Sequence, residues 1–253
     1  MSFVSLQRRY RWMMDLERYL GLTLLGPLLW LEGKYVRHVT PQLPEPPGAR
    51  EGTTGQGPLL RLLIAGDSAA AGVGAASQDE ALSGRLVGYL RPHFTVEWQL
   101  LAVNGLDSPG LIQLLQEAPA DHFDVVLVSI GVNDVTSLRS PSQWLQWQDK
   151  LANVIQSRFE PQLLIHSAIP PMHGFTALPQ PLRWFMGRWA TEMNRQLDAR
   201  LSGKTERILH WPFREAAAEG LAADGFHPGP VAYDIWAAGL SSVIRLNQMT
   251  RLH

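Results

Sequence analysis

The chain has 253 residues, 45% of them hydrophobic, which suits one sizeable core with an appendage. Its 22 basic and 23 acidic side chains leave a formal charge of -1, and no basic stripe argues for nucleic acid. The absence of cysteine excludes disulfides, thiolate nucleophiles and cysteine-ligated metals.

At the N-terminus, Arg8, Arg9 and Arg11 precede an uncharged run from Tyr19 to Leu31, bounded by Arg18 and Glu32. The run is shorter than the ~20 apolar residues a spanning helix needs. It has the basic start of a signal peptide but no small-residue cleavage site. The segment is read as a helix docked on the protein's own surface, as a helix lying in a membrane interface with Tyr19, Trp30 and the arginines at the boundary, or as an uncleaved anchor. The first two are favoured. With them goes a cytoplasmic or membrane-associated protein of bacterial type, which leaves the compartment unassigned. Residues 1–40 are accordingly assigned to an N-terminal apolar helix. Residues 41–58 hold Pro41, Pro44, Pro46, Pro47, Gly48, Gly52, Gly55 and Gly57 without an apolar period, and read as an extended, poorly packed linker. The main domain is placed at 59–253.

From Leu59 the pattern alternates. Leu59–Ala65 reads as a strand, Gln78–Leu90 as a helix with Leu82, Leu86, Val87 and Leu90 on one face, and Thr95–Val103 as the second strand. Ser108–Gln116 reads as a helix with Ser108 as cap and Pro109 at its first position. Asp124–Ile130 has the continuous apolar run of a central parallel strand. A helix over Ser140–Phe159, a strand over Gln162–Ile169, a helix over Arg183–Leu201, a short strand over Arg207–Trp211 and a closing helix over Pro230–Met249 complete the order. Strands alternating with helices predict an α/β fold: a five-stranded parallel sheet between two helical layers.

The polar residues of interest follow strand ends. Gly66-Asp67-Ser68 follows the first strand, Asn104-Gly105 the second and Gly131-Val132-Asn133-Asp134 the third, and Asp224-Gly225-Phe226-His227 precedes the last helix. Each alone is an ordinary turn. In a doubly wound sheet all four meet at the carboxyl edge, where such folds bind ligands. Asp67 and Asp134 are expected to bond neighbouring backbone. The remaining histidines show no metal-ligand spacing, and no phosphate-binding or dinucleotide fingerprint is present.

These blocks resemble those of the SGNH (GDSL-type) hydrolases, a family of esterases and lipases, over roughly Leu59–Leu246. The resemblance implies a three-layer α/β/α fold with flavodoxin-like strand order. It implies Ser68 as nucleophile, His227 as base and Asp224 as the residue that orients it. It also implies an oxyanion hole from the N–H groups of Ser68 and Gly105 and the amide of Asn133, with Gly110 as the alternative to Gly105. The implied activity is hydrolysis of carboxylic esters, lipid-like or short-chain, through an acyl-serine, with no cofactor or metal. Deacetylation of a carbohydrate or cell-envelope polymer, and a catalytically idle binding module, are the alternatives. The partners expected are an ester substrate, no nucleic acid, and a membrane surface if the N-terminal helix is interfacial; the oligomeric state is open. The long proline-stiffened stretch from Ile169 to Trp184 is read either as a cover for the sheet edge or as an acyl-binding wall of Met172, Phe175, Leu178 and Trp184.

Overall fold

A computed structural model describes residues 23–213 and 220–251. Arg8, Arg9, Arg11, Arg18 and Tyr19, which entered the reading of the N-terminus, lie outside the described residues. Among the described residues six strands form one sheet: β1 (Glu51–Gly55), β2 (Leu59–Gly66), β3 (Thr95–Ala102), β4 (Val125–Ser129), β5 (Leu163–Ser167) and β6 (Arg207–His210). Their order is β1-β3-β2-β4-β5-β6, and β2 to β6 run parallel. From β2 the chain adds β3 on one side, then crosses to build β4, β5 and β6 on the other. That reversal opens a crevice between the carboxyl ends of β2 and β4, the place where such sheets bind ligands.

Both faces of the sheet are covered, so the central strands need no polar side. Leu62 and Ile64 of β2 pack toward α3 (Leu82–Leu90) and α8 (Pro230–Arg251). Leu63 and Ala65 pack toward α4 (Ser108–Glu117) and α6 (Pro141–Phe159). Two short helices follow strand ends, α2 (Ser68–Ala71) after β2 and α5 (Val132–Thr136) after β4, and the long helix α7 (Leu182–Leu201) precedes β6.

The supposed linker is the clearest departure from the sequence reading. Its residues Glu51–Gly55 pair antiparallel with β3, from Glu51↔Gln99 to Gly55↔Thr95, so the sheet has six strands and starts before residue 59. An edge strand with exposed side chains needs backbone pairing and no apolar period, which is why composition did not reveal it. The residues ahead of it are also tied down. Glu45 Oε1 accepts the Asn104 N–H at 2.7 Å, Arg50 donates to Glu45 Oε2 at 2.9 Å and to the Ala102 carbonyl, and the Pro47 carbonyl accepts the Gln78 N–H at 2.9 Å. The segment 45–50 is thus a strap across the loops that follow β2 and β3.

Two helix starts also differ. The helix expected from Gln78 begins at Leu82, because the Gln78 side chain donates to the Ala71 carbonyl and accepts from Ser83 Oγ, which holds residues 78–81 in a turn. Asp107, not Ser108, caps α4; its Oδ1 accepts the Gly110 N–H at 3.1 Å. At the N-terminus, residues 23–39 form helix α1. Leu29 and Val36 are buried in the cluster around the Leu182–Leu201 helix, and Glu32 accepts the Leu182 N–H at 3.0 Å. Leu24, Leu28, Leu31 and Tyr35 on the same helix are exposed. Among the described residues no helix is long and apolar enough to cross a membrane.

Candidate active site

The turn that carries Ser68 depends on one missing side chain. A Cβ at Gly66 would stand 2.1 Å from the Ser129 carbonyl oxygen, so only glycine lets β2 close on β4 at this level. The chain then turns. Asp67 donates its N–H to the Ser129 carbonyl at 3.1 Å, and its Oδ1 accepts the Ala69 N–H at 3.1 Å, capping the short helix that Ser68 begins. Burial pushes the Asp67 carboxyl up to about 7 against the pull of that N–H. Ser68 is left at the mouth of the crevice.

His227 arrives from the other end of the domain. Residues 220–229 fold back on themselves: Leu221 bridges Pro228, Ala222 donates to the His227 carbonyl at 2.8 Å, and Gly225 takes a left-handed turn at φ 65°. Asp224 Oδ1 accepts the N–H groups of Phe226 and His227 at 3.0 Å each, and its Oδ2 lies 2.5 Å from His227 Nδ1. Burial alone would raise the Asp224 carboxyl. The hydrogen bonds from the His227 ring and from these two N–H groups outweigh it and hold the group below the usual range. An ionised Asp224 requires the proton on Nδ1, which leaves the Nε2 lone pair free to accept. Nε2 lies 3.0 Å from Ser68 Oγ. The Tyr233 hydroxyl donates to the Val73 carbonyl at 2.7 Å and so ties α8, next to His227, to the turn behind Ser68.

The opposite flank carries the residues expected to hold an oxyanion. Gly131, at φ 136°, turns the chain after β4, and a Cβ there would stand 2.7 Å from Ile169 Cγ1. Asn133 follows. Its Nδ2 donates to the Leu106 carbonyl at 2.7 Å, which fixes the amide's orientation and leaves its second N–H uncommitted to that bond. Asp134 is buried and accepts from Ser108 through both N–H (3.1 Å) and Oγ (2.8 Å); Gln148 donates to the same Oγ at 3.1 Å. Burial raises Asp134 to about 6, with the Ser108 bonds opposing it. Gly105 lies in an exposed left-handed turn at φ 86°. The N–H of Gly110 is engaged in the Asp107 cap, so of the two glycines only Gly105 keeps an N–H outside that cap. Among the described residues no hydrogen bond links Gly105 or Asn133 directly to Ser68.

A cavity opens beside Ser68 and His227 and runs over the ends of β4, β5 and β6 beneath α8. Of the expected acyl-binding wall, only Phe175 lines it. Met172, which opens the 3-10 turn Met172–Gly174, and Leu178 are instead buried in the cluster around the Leu182–Leu201 helix. Trp184 is half-exposed on that helix's outer side, under the Arg188 guanidinium at 5.3 Å. The cavity walls that sequence reading missed are Ile130, Phe213, Phe226 and Trp236. Phe226 stands inside the Asp224–His227 block and packs on Phe175, ring centroids 4.9 Å apart. Its position beside His227 was a usable signal; Phe213 and Trp236 carried none. Two hydrogen-bonding atoms in this wall, Ser167 Oγ and Trp236 Nε1, have no partner among the described residues.

The sequence profile of the GDSL-like Lipase/Acylhydrolase family matches residues 64–235. A GDSL-like esterase of Mycobacterium tuberculosis is 26% identical over 89% of this chain and 79% of its own length. Among solved structures, a member of the lipolytic G-D-S-L family from Veillonella parvula superposes with a TM-score of 0.60 at 15% identity, covering 74% of this chain and 98% of that one. A catalytic mutant of an acetylxylan esterase from Geobacillus stearothermophilus gives a TM-score of 0.52 at 15% identity, covering 75% and 95%. At such identities these two superpositions establish a common α/β fold.

Proposed function

The chain belongs to the GDSL-like lipase/acylhydrolase family, and from that premise we propose that it is a serine hydrolase of carboxylic esters. The observation that carries this reading is the unbroken relay Asp224 Oδ2–His227 Nδ1 at 2.5 Å and His227 Nε2–Ser68 Oγ at 3.0 Å. Ser68 Oγ attacks the ester carbonyl carbon while its proton passes to His227 Nε2. The tetrahedral oxyanion is held by the backbone N–H groups of Ser68 and Gly105 and the free amide N–H of Asn133. As it collapses, the carbon–alkoxy bond breaks and His227 returns the proton to the departing alcohol. Water then repeats the sequence on the acyl-serine and releases the acid. Asp224 stays ionised throughout, fixing the ring tautomer and stabilising the imidazolium.

Sugar or envelope deacetylation is the second reading, supported by a neighbour described as an acetylxylan esterase. The carbon-lined cavity favours a larger acyl group than acetyl. Hydrolysis of p-nitrophenyl esters by the full chain and by Ser68→Ala tests the assignment, together with labelling by a fluorophosphonate and mapping of the modified peptide. Hydrolysis and labelling confined to the parent protein, at Ser68, are expected. Equal activity in both proteins would remove Ser68 as nucleophile.

A further inference from the structure

The cavity has a direction and an end. We infer that it takes the acyl half of the ester as an extended hydrocarbon chain of about ten to twelve carbons, a conclusion that rests on the ester hydrolysis proposed above. Its lining comes in succession from the ends of β2, β4, β5 and β6, through Ser68, Ile130, Ala168 and Phe213, with Trp236 of α8 above the far part. Neighbouring strands lie about 4.8 Å apart, so the three intervals from β2 to β6 span about 14 Å. A staggered hydrocarbon advances about 1.25 Å per carbon and covers that distance with about eleven. β6 is the edge strand of the sheet, so the path along the strand ends stops there; a second cavity, with Thr191, Asn194 and His210 in its lining, shares Ala168, Pro212 and Phe213 with the first as a common wall.

The chemistry of the wall selects the ligand. Among the described residues its titratable side chains, Asp67 and His227, both stand at the nucleophile end. Beyond Ser68 itself, a sugar would meet among the described side chains two hydroxyls, Ser129 and Ser167, and one indole N–H, far too few to replace the water its own hydroxyls lose. A chain of methylenes loses no hydrogen bonds there and gains contact along its whole length. The acyl half, not the alcohol, belongs in this space. The alcohol must leave and be replaced by water beside His227 before deacylation, so it requires the open side, where Asn104 and Gly105 are exposed. The acyl group remains bonded to Ser68 through both half-reactions and needs no exit until the end.

The test is the profile of kcat/KM over p-nitrophenyl esters from acetate to hexadecanoate. It should rise by about two- to four-fold per methylene to an optimum near decanoate or dodecanoate and fall beyond. Ala168→Leu places a branch two strand intervals from Ser68 and should cut the decanoate-to-acetate ratio by about ten-fold or more. Phe213→Ala opens the far end and should move the optimum to longer chains. Ethyl decanoate should be cleaved faster than decyl acetate. An optimum at acetate or butyrate, with a ratio that neither variant alters, would overturn the chain assignment while leaving ester hydrolysis intact. Failure of the parent protein on every ester would instead remove the underlying activity. If circular dichroism shows Ala168→Leu to be unfolded, Phe213→Ala decides alone.

Discussion

The two flanks of Ser68 are made of different material. Toward β3 lies a net of hydrogen bonds: Glu45 to the Asn104 N–H, Asn133 to the Leu106 carbonyl, Asp134 to both donors of Ser108. Toward β6 lies a carbon surface from Ile130 to Trp236. Hydrogen bonds are directional and hydrophobic contact is not. In the reaction proposed above, the flank that aims donors at a developing charge is therefore built by fixing angles, and the flank that excludes water from a flexible chain is built by filling space. Damage to the first is expected in kcat. Damage to the second is expected in preference among substrates.

Removing the atom common to both flanks gives the largest effect. Ser68→Ala should lower kcat by about 10⁴-fold or more, with the fold kept; a drop below ten-fold in steady-state hydrolysis would mean the nucleophile lies elsewhere. Asn133→Ala deletes a donor on the bonded flank and should cost about 10²–10³ in kcat with KM little changed. An effect confined to KM would place Asn133 in substrate binding instead.

Next in size is a stability effect under the carbon flank. His166 lies on β5, one residue before Ser167, and among the described residues neither of its ring nitrogens has a partner. Burial, with smaller contributions from Arg207 and Lys204, lowers its pKa from the ordinary 6.5 to about 3. The folded state thus binds this proton more weakly than the unfolded chain. The associated stability is fully present above pH ~6.5 and is lost as pH falls toward 3. Between pH 7 and 4.5 the loss should be about 2–3 kcal/mol, read by urea unfolding, and His166→Leu should remove that part of the slope. Parallel slopes in the two proteins would show that His166 is not the group responsible.

The smallest effect concerns the strap. Glu45→Ala frees the Asn104–Gly105 turn and should lower kcat by about ten-fold at nearly constant KM, the cost of roughly one charge-assisted hydrogen bond. Glu45→Gln keeps an acceptor for the Asn104 N–H and should recover part of the loss. An unchanged kcat in Glu45→Ala would show that the bonded flank holds without the strap.

Much of the candidate site could be proposed before the fold. Gly66, Ser68, Asn133, Asp224 and His227 stand out because turns and catalytic roles tolerate few residue types, and each follows or precedes a strongly periodic element. The Ile169–Trp184 loop was less legible. Its apolar residues could face the core or the cavity, and Met172 and Leu178 turned to the core while Phe175 did not. Asp107 and Ser108 are both good caps, and the choice between them fell to Asp134, which claims the Ser108 hydroxyl from 26 residues away.

The linear order of residues determined the α/β alternation, the parallel central sheet and the candidate nucleophile, base and orienting carboxylate, because those follow from local periodicity and from the chemistry of individual side chains. Tertiary structure alone decided that residues 45–55 form a strap and an edge strand, and that Phe213 and Trp236 face the same space as Ser68. Edge pairing is a matter of backbone groups that every residue carries, and a cavity wall is a juxtaposition of side chains from separate elements. Neither leaves a pattern along the chain.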